Sequence, residues 1–146
     1  GFVHDMGAAM QGGVGGHAGL FGNAFDVAVV LQMYIQGGYY GGKKLLSKSV
    51  INQFNTCYYC DKDNRRGVGF DKPELNDGSS DCKGQPSPTS FGHYGFTGTY
   101  AWADPENEIV IVFLSNRTYP TMDNKLLGKH NIRTRVREVV YKALVD

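Results

Sequence analysis

The chain has 146 residues, is 41% hydrophobic and 20% charged, and carries a formal net charge of +1. That length suits one domain with a buried core, and the near-neutral balance excludes a broad electrostatic attraction to nucleic acid or to an anionic membrane. No apolar run approaches the ~20 residues of a membrane-spanning helix, and the glycines gather near the start and in the middle, where backbone must turn tightly or lie close to another group.

Three regions follow in order: a helical part at 1–60, a cysteine-bearing loop with a short strand at 61–90, and a hairpin with a C-terminal helix at 91–146. The opening GFVHDMGAAM lacks the basic start and apolar segment of a signal peptide and does not begin with Met. It reads as an internal piece of a longer exported or periplasmic protein whose signal lies upstream. Gly- and Ala-rich, residues 1–21 predict an extended, loop-like approach. The run from Gly12 to Gly19 leads into a helix, as phosphate-cradling loops do, but no strand precedes it and no Lys-Ser or Lys-Thr pair follows, so no nucleotide site is assigned. His4, Asp5 and His17 could serve acid–base chemistry or bind metal; their spacing fits no zinc pattern, and a structural role in a glycine-rich turn is the preferred reading.

Asn23 is a good N-cap with Asp26 in the first turn, and Val27, Val30, Leu31, Tyr34 and Ile35 recur at helical spacing until Gly37-Gly38, which predicts a helix over 24–36. After a turn at Tyr39-Tyr40-Gly41-Gly42, Ser47 caps a short helix through Phe54, with Leu46 and Ile51 placed as a hydrophobic staple. From Asn55 to Pro88 the chain is polar and irregular, with a short strand expected at Gly67–Phe70. It holds all three cysteines. A disulfide from Cys82 to Cys57 or Cys60 is the preferred pairing for an exported protein; a zinc site with His93 as fourth ligand and three reduced cysteines are the alternatives.

The stretch from Phe91 to Tyr100 sets a His, three glycines and two Thr hydroxyls into a predicted strand that runs through His93 to Trp102. Glycine inside a strand marks a place where a ligand or another backbone comes close. Asp104-Pro105-Glu106-Asn107 is then a turn, and Glu108–Ser115 returns as a β-branched run apolar on consecutive positions, so both its faces should be covered. Asn116-Arg117-Thr118 fits a glycosylation pattern that is common by chance, and no function is assigned to it. From Asn131, the residues Ile132, Val136, Val139, Val140, Ala143 and Leu144 predict the inner face of a C-terminal helix lying across the sheet. The expected fold class is therefore α+β: an antiparallel sheet of about three strands with the C-terminal helix packed on it and helices N-terminal to it.

FGHYGFTGTY followed by WADPENEIVIVFLSNRTYP resembles the third motif and following hairpin of the serine β-lactamase and penicillin-binding-protein superfamily, in its class C and D-alanyl-D-alanine carboxypeptidase-like esterase branch. GGVGGHAGLFGNAFDVAVVLQMYIQGG and KKLLSKSVINQF are similar to the same branch in the same order. VHD, GHAGLF and NRRGVGFDKPE also resemble serine hydrolase domains appended to bacterial β-N-acetylhexosaminidases. The resemblance implies a partial β-lactamase/transpeptidase-like fold with His93-Tyr94-Gly95 as the third motif. His93 would handle a proton or supply charge, and Gly95 would leave room for substrate. The backbone N–H of Phe96 would be an oxyanion-hole donor, and Tyr94, Thr97 and Thr99 would contact substrate. No cofactor or metal is implied.

In that family the nucleophile lies in a Ser-x-x-Lys motif and a second relay in Tyr-x-Asn or Ser-x-Asn, both upstream of the matching segment. The expectation is that this chain contains neither Ser-x-x-Lys nor Tyr-x-Asn, lacks the nucleophile and is inactive alone. Its partners would be the upstream part of the same parent chain and a small-molecule or peptidoglycan-like substrate. With one sheet edge left open, self-association is also expected. The rival readings are a non-catalytic accessory domain of a glycoside hydrolase and, ranked last, a cysteine-based metal or redox module.

Overall fold

A computed structural model describes residues 3–62, 64–73 and 86–144 of the chain. The α+β expectation holds. Five α-helices, α1 (Met6–Met10), α2 (Ala24–Ile35), α3 (Lys48–Asn55), α4 (Leu126–Lys129) and α5 (Ile132–Lys142), and a 3-10 turn at Cys60–Lys62 accompany five strands among the described residues. Strands β1 (Tyr39–Tyr40) and β2 (Lys43–Lys44) form a small hairpin, while β3 (Phe91–Tyr94), β4 (Tyr100–Asp104) and β5 (Ile109–Phe113) form an antiparallel sheet in that order.

The sheet has two covered faces, as the continuous apolar pattern of β5 requires. Tyr100, Trp102, Ile109 and Ile111 point to one side and pack with Tyr141 and Val140 of α5. Phe91, Ala101, Ala103, Val110 and Val112 point to the other and pack with Val27, Leu31, Tyr34 and Ile35 of α2. A period of two sorts these side chains, so each strand feeds two cores at once. Trp102 is fully buried and sits opposite Gly92, where a Cβ would collide with the Ala101 carbonyl and the Trp102 ring. Glycine at 92 is thus what lets the tryptophan lie flat across β3.

Capping decides the helix starts. The Asn23 side chain accepts from Asp26 N at 3.1 Å while Asp26 returns a bond to the Asn23 backbone, the reciprocal capping box that the residue types predict. Ser47 Oγ accepts from Val50 N at 3.2 Å and begins α3, burying Ile51.

Five expectations are corrected. The opening segment is not wholly extended: Asp5 accepts from Ala8 N at 2.8 Å and nucleates the single-turn α1. Tyr39–Lys44 is a hairpin rather than only a turn. Gly67–Phe70 is not a strand; only isolated bridges from Asp71 to Arg66 and Gly92 form there. The strand through His93 does not run to Trp102, because Gly95–Thr99 closes a turn in which Gly95 N bonds Thr99 O at 2.8 Å and Gly98 N bonds Gly95 O at 3.1 Å. Gly98 sits there at φ +102°, a conformation that disfavours any side chain. Finally, Val139, Ala143 and Leu144 of the C-terminal segment are exposed, and the inner face is made by Val140, as expected, together with Arg137 and Tyr141.

Lys72 ties the middle of the chain to β3. Buried, its ammonium donates to Asn55 Oδ1 at 3.1 Å, Thr89 O at 3.1 Å and Ser90 O at 2.6 Å. All three of its protons are used. Nearby, Cys57 and Cys60 form a disulfide with Cα atoms 5.6 Å apart. This overturns the expected pairing of Cys82 with either one, since each sulfur forms a single such bond. It also removes both thiolates a zinc site would need. Cys82 itself lies outside the described residues.

A candidate active-site cleft

The turn that ends β3 forms one wall of an open cleft of about 760 Å³. Gly95, Phe96, Thr97 and Thr99 line this wall. The facing wall is the N-terminal segment, with His4, Asp5, His17 and Leu20, and Asn116 and Thr118 close one end from the segment after β5. Residues more than a hundred positions apart therefore meet there.

The N-terminal wall is organised by Asp5. Besides capping α1, its Oδ1 lies 2.8 Å from His17 Nε2. The backbone bond from Ala8 and the bond with His17 hold the Asp5 carboxyl below the ordinary aspartate range. A carboxylate so placed fixes the His17 ring and selects which nitrogen carries the proton. Gly19 leaves this loop at φ +123°, where a Cβ would run into the Gly13 carbonyl. The glycine run is thus a tight loop folded on itself, and it builds a cleft wall instead of a phosphate cradle.

The opposite wall is held from behind. Arg117 Nε donates to Phe96 O at 2.8 Å, its guanidinium lies 4.6 Å from the Phe96 ring centre, and its backbone N–H bonds Thr97 O at 2.8 Å. His4 stacks with the same ring at 6.0 Å between centres. Where Asn116 follows β5, its Oδ1 accepts from Thr118 N at 3.2 Å and Thr118 Oγ1 at 2.7 Å, which turns the chain toward the cleft.

Of the predicted site residues, Gly95, Phe96, Thr97 and Thr99 come together on the cleft wall. His93 and Tyr94 do not line it. Alternation along β3 sends Tyr94 to the α5 side, where its ring lies 4.9 Å from that of Tyr100 and its hydroxyl receives Arg137 Nη1 at 3.2 Å. This corrects the expectation of a Tyr94 side chain in contact with substrate. His93 is exposed on the other face of the strand, and its Nδ1 lies 2.9 Å from Tyr94 O. His4, Asp5, His17, Asn116 and Thr118 fall within segments that carry the family resemblance, but no spacing rule brings them to β3.

Among the described residues no group of three or more His, Cys, Asp or Glu is placed to hold a metal ion, and no helix is long and apolar enough to cross a membrane. The pattern Ser-x-x-Lys does occur once, at Ser80-Asp81-Cys82-Lys83, which corrects the expectation that the chain has none. It lies outside the described residues and follows α3 instead of preceding α2, against the order of the resembled family, so no nucleophile is assigned to it.

A glycine-bearing strand end thus faces a His-containing loop across a cleft, on an α+β sheet with helices on both faces. Residues 2–133 match the Beta-lactamase family, and the chain belongs to that family. It is 38% identical over 126 residues to a "Putative D-alanyl-D-alanine carboxypeptidase" of Salmonella enteritidis PT4 (strain P125109), covering 85% of this chain and 28% of that protein. It is 40% identical over 121 residues to a protein of the same description from Escherichia coli O157:H7, covering 82% of this chain and 27% of that protein. The chain thus spans little more than a quarter of the length of the curated relatives it matches.

Proposed function

We propose that this chain supplies one wall of the active site of a penicillin-recognising serine hydrolase, which cleaves a β-lactam, peptide or ester through an acyl-serine. The observation that carries the reading is the turn Gly95–Thr99, set on the rim of a cleft large enough for a small acyl substrate and backed by tied-down backbone. In this reading the Phe96 N–H donates to the developing oxyanion, an interaction worth ~3–4 kcal/mol in the transition state. Thr97 and Thr99 hold polar groups of the substrate, and His93 supplies a proton or positive charge from the strand's end. Serine and its activating lysine come from elsewhere in a longer, exported protein, and a fused β-N-acetylhexosaminidase belongs to the same proposal.

The full-length protein and this chain, each treated with a fluorescent penicillin and a p-nitrophenyl ester, test the reading. The full-length protein is expected to gain the mass of an acyl group on a serine upstream of Gly1, and Ser80→Ala is expected to leave that acylation unchanged. The chain alone is expected to turn over neither substrate. Turnover by the chain that His93→Ala abolishes would overturn the division of labour, and an absence of acylation in the full-length protein would overturn the hydrolase reading.

A further inference from the structure

The peptide unit between Gly95 and Phe96 has its two ends in different surroundings. Its carbonyl oxygen accepts from Arg133 Nη1 at 3.3 Å and from Gly98 N at 3.1 Å. Its N–H, that of Phe96, meets no acceptor among the described residues. In a trans peptide the two bonds point in opposite directions, so a donor fixed on the oxygen fixes where the N–H points.

Arg133 is well held for this purpose. It stands in the first turn of α5, its guanidinium lies 4.8 Å from the centre of the Tyr94 ring, and the same Nη1 reaches Thr99 O at 3.3 Å. One cation therefore clamps both ends of the turn, from the α5 side of the sheet. A positive donor on an amide oxygen draws electron density toward it and strengthens the N–H at the other end. The next peptide is arranged alike: Arg117 Nε holds Phe96 O, and the N–H of Thr97 has no acceptor among the described residues.

We propose that Arg133 is a positioning residue for the oxyanion donor: seated on Tyr94 and bonded to the Gly95 carbonyl, it aims the Phe96 N–H away from α5 toward the cleft and makes it a stronger donor. This rests on the serine hydrolase reading for its catalytic meaning but not for its geometry. It also gives Tyr94 a place in the site, as the platform under the guanidinium.

The test uses the full-length protein with 15N-labelled phenylalanine. Arg133→Met keeps the length of the side chain and removes the charge and donors. It is expected to move the Phe96 amide proton upfield, to slow its base-catalysed exchange with solvent, and to lower kcat for acyl substrates about tenfold with KM within about twofold. Arg133→Lys, which keeps the charge without the planar fork, should recover part of both effects. A purely structural role would leave the Phe96 resonance in place or change KM and kcat together. An unmoved Phe96 resonance overturns the proposal whether or not the protein turns over substrate. A moved resonance in a protein without acyl-transfer activity supports the positioning and sinks the hydrolase reading instead. If Arg133→Met does not fold, the same resonance read in Arg133→Lys decides.

Discussion

The Tyr141 hydroxyl donates to Asp104 Oδ2 at 2.7 Å, joining α5 to the last residue of β4 inside the core. Asp104 is fully buried and also accepts from Ser87 N at 2.8 Å, from Asn107 Nδ2 at 2.8 Å and from the Ser87 hydroxyl. Three segments far apart in sequence therefore converge on one carboxylate. Burial by itself would raise its pKa; the bonds from Ser87, Asn107 and Tyr141 outweigh burial and leave it lowered.

A folded carboxyl held below its unfolded value contributes stability above the unfolded pKa of ~4, and that contribution is lost as pH falls through the folded pKa. Tyr141→Phe is expected to cost ~1.5–3 kcal/mol at neutral pH, as loss of a hydrogen bond to a charged group does. It should also flatten the fall in stability on the acid side. Urea unfolding at pH 7 and pH 3 measures both, and equal pH dependence in the two proteins would contradict the assignment.

Lys72 behaves in the opposite sense. Burial lowers its pKa from 10.5 to about 8, with the charge of Asp104 opposing. Between those values the unfolded chain binds more protons than the folded one, so stability should rise as pH increases from about 8 toward 10, by at most roughly 3 kcal/mol. Below about 8 both states hold the proton and the slope vanishes. Lys72→Met should abolish the alkaline rise, and at neutral pH it should destabilise by ~1–3 kcal/mol by leaving buried acceptors unpaired. Denaturation of both proteins from pH 7 to pH 10 would show a persistent rise in the variant if another group is responsible.

Gly92→Ala places a methyl group against backbone and the Trp102 ring, neither of which can swing aside. A loss of ~2–4 kcal/mol is expected, from overpacking combined with displacement of the buried indole. Tryptophan fluorescence should move to the red, because Trp102 is the chain's one tryptophan. An unshifted emission maximum would show that β3 and β4 are not in the register described.

Thiol titration of the unfolded, unreduced chain should find one free thiol among the three cysteines, and mapping by mass spectrometry should place it at Cys82. Because the Cys57–Cys60 bridge closes so short a loop, its reduction should cost no more than ~2 kcal/mol. A peptide linking Cys82 to either partner would contradict the pairing.

The parts of the fold legible in sequence are those whose signals are local. Asn23, Asp26 and the spacing from Val27 to Ile35 define α2 within a dozen residues, and Ser47 does the same for α3. The reversal at Gly95–Thr99 escaped because it contains no Asn, Asp or Pro, and its glycines also suit a kinked strand. The inner face of α5 is legible only in part, through Val140, because Arg133 and Arg137 look solvent-facing in a helical pattern. In the structure their guanidinium groups lie along Tyr94. On the cleft wall Gly95, Phe96, Thr97 and Thr99 were readable as a motif, whereas the contribution of Asp5 and His17 depends on a loop closure that no spacing rule encodes.

The outer side of β5 carries a consequence for how the protein is made. Ile109–Phe113 contains no charge and no proline, and among the described residues no strand pairs with its second edge. Such a row of backbone donors and acceptors can recruit any extended neighbour, including another copy. Synthesis runs from the N-terminus, so any strand encoded before β5 is free of the ribosome when β5 emerges and can reach this edge ahead of a second copy.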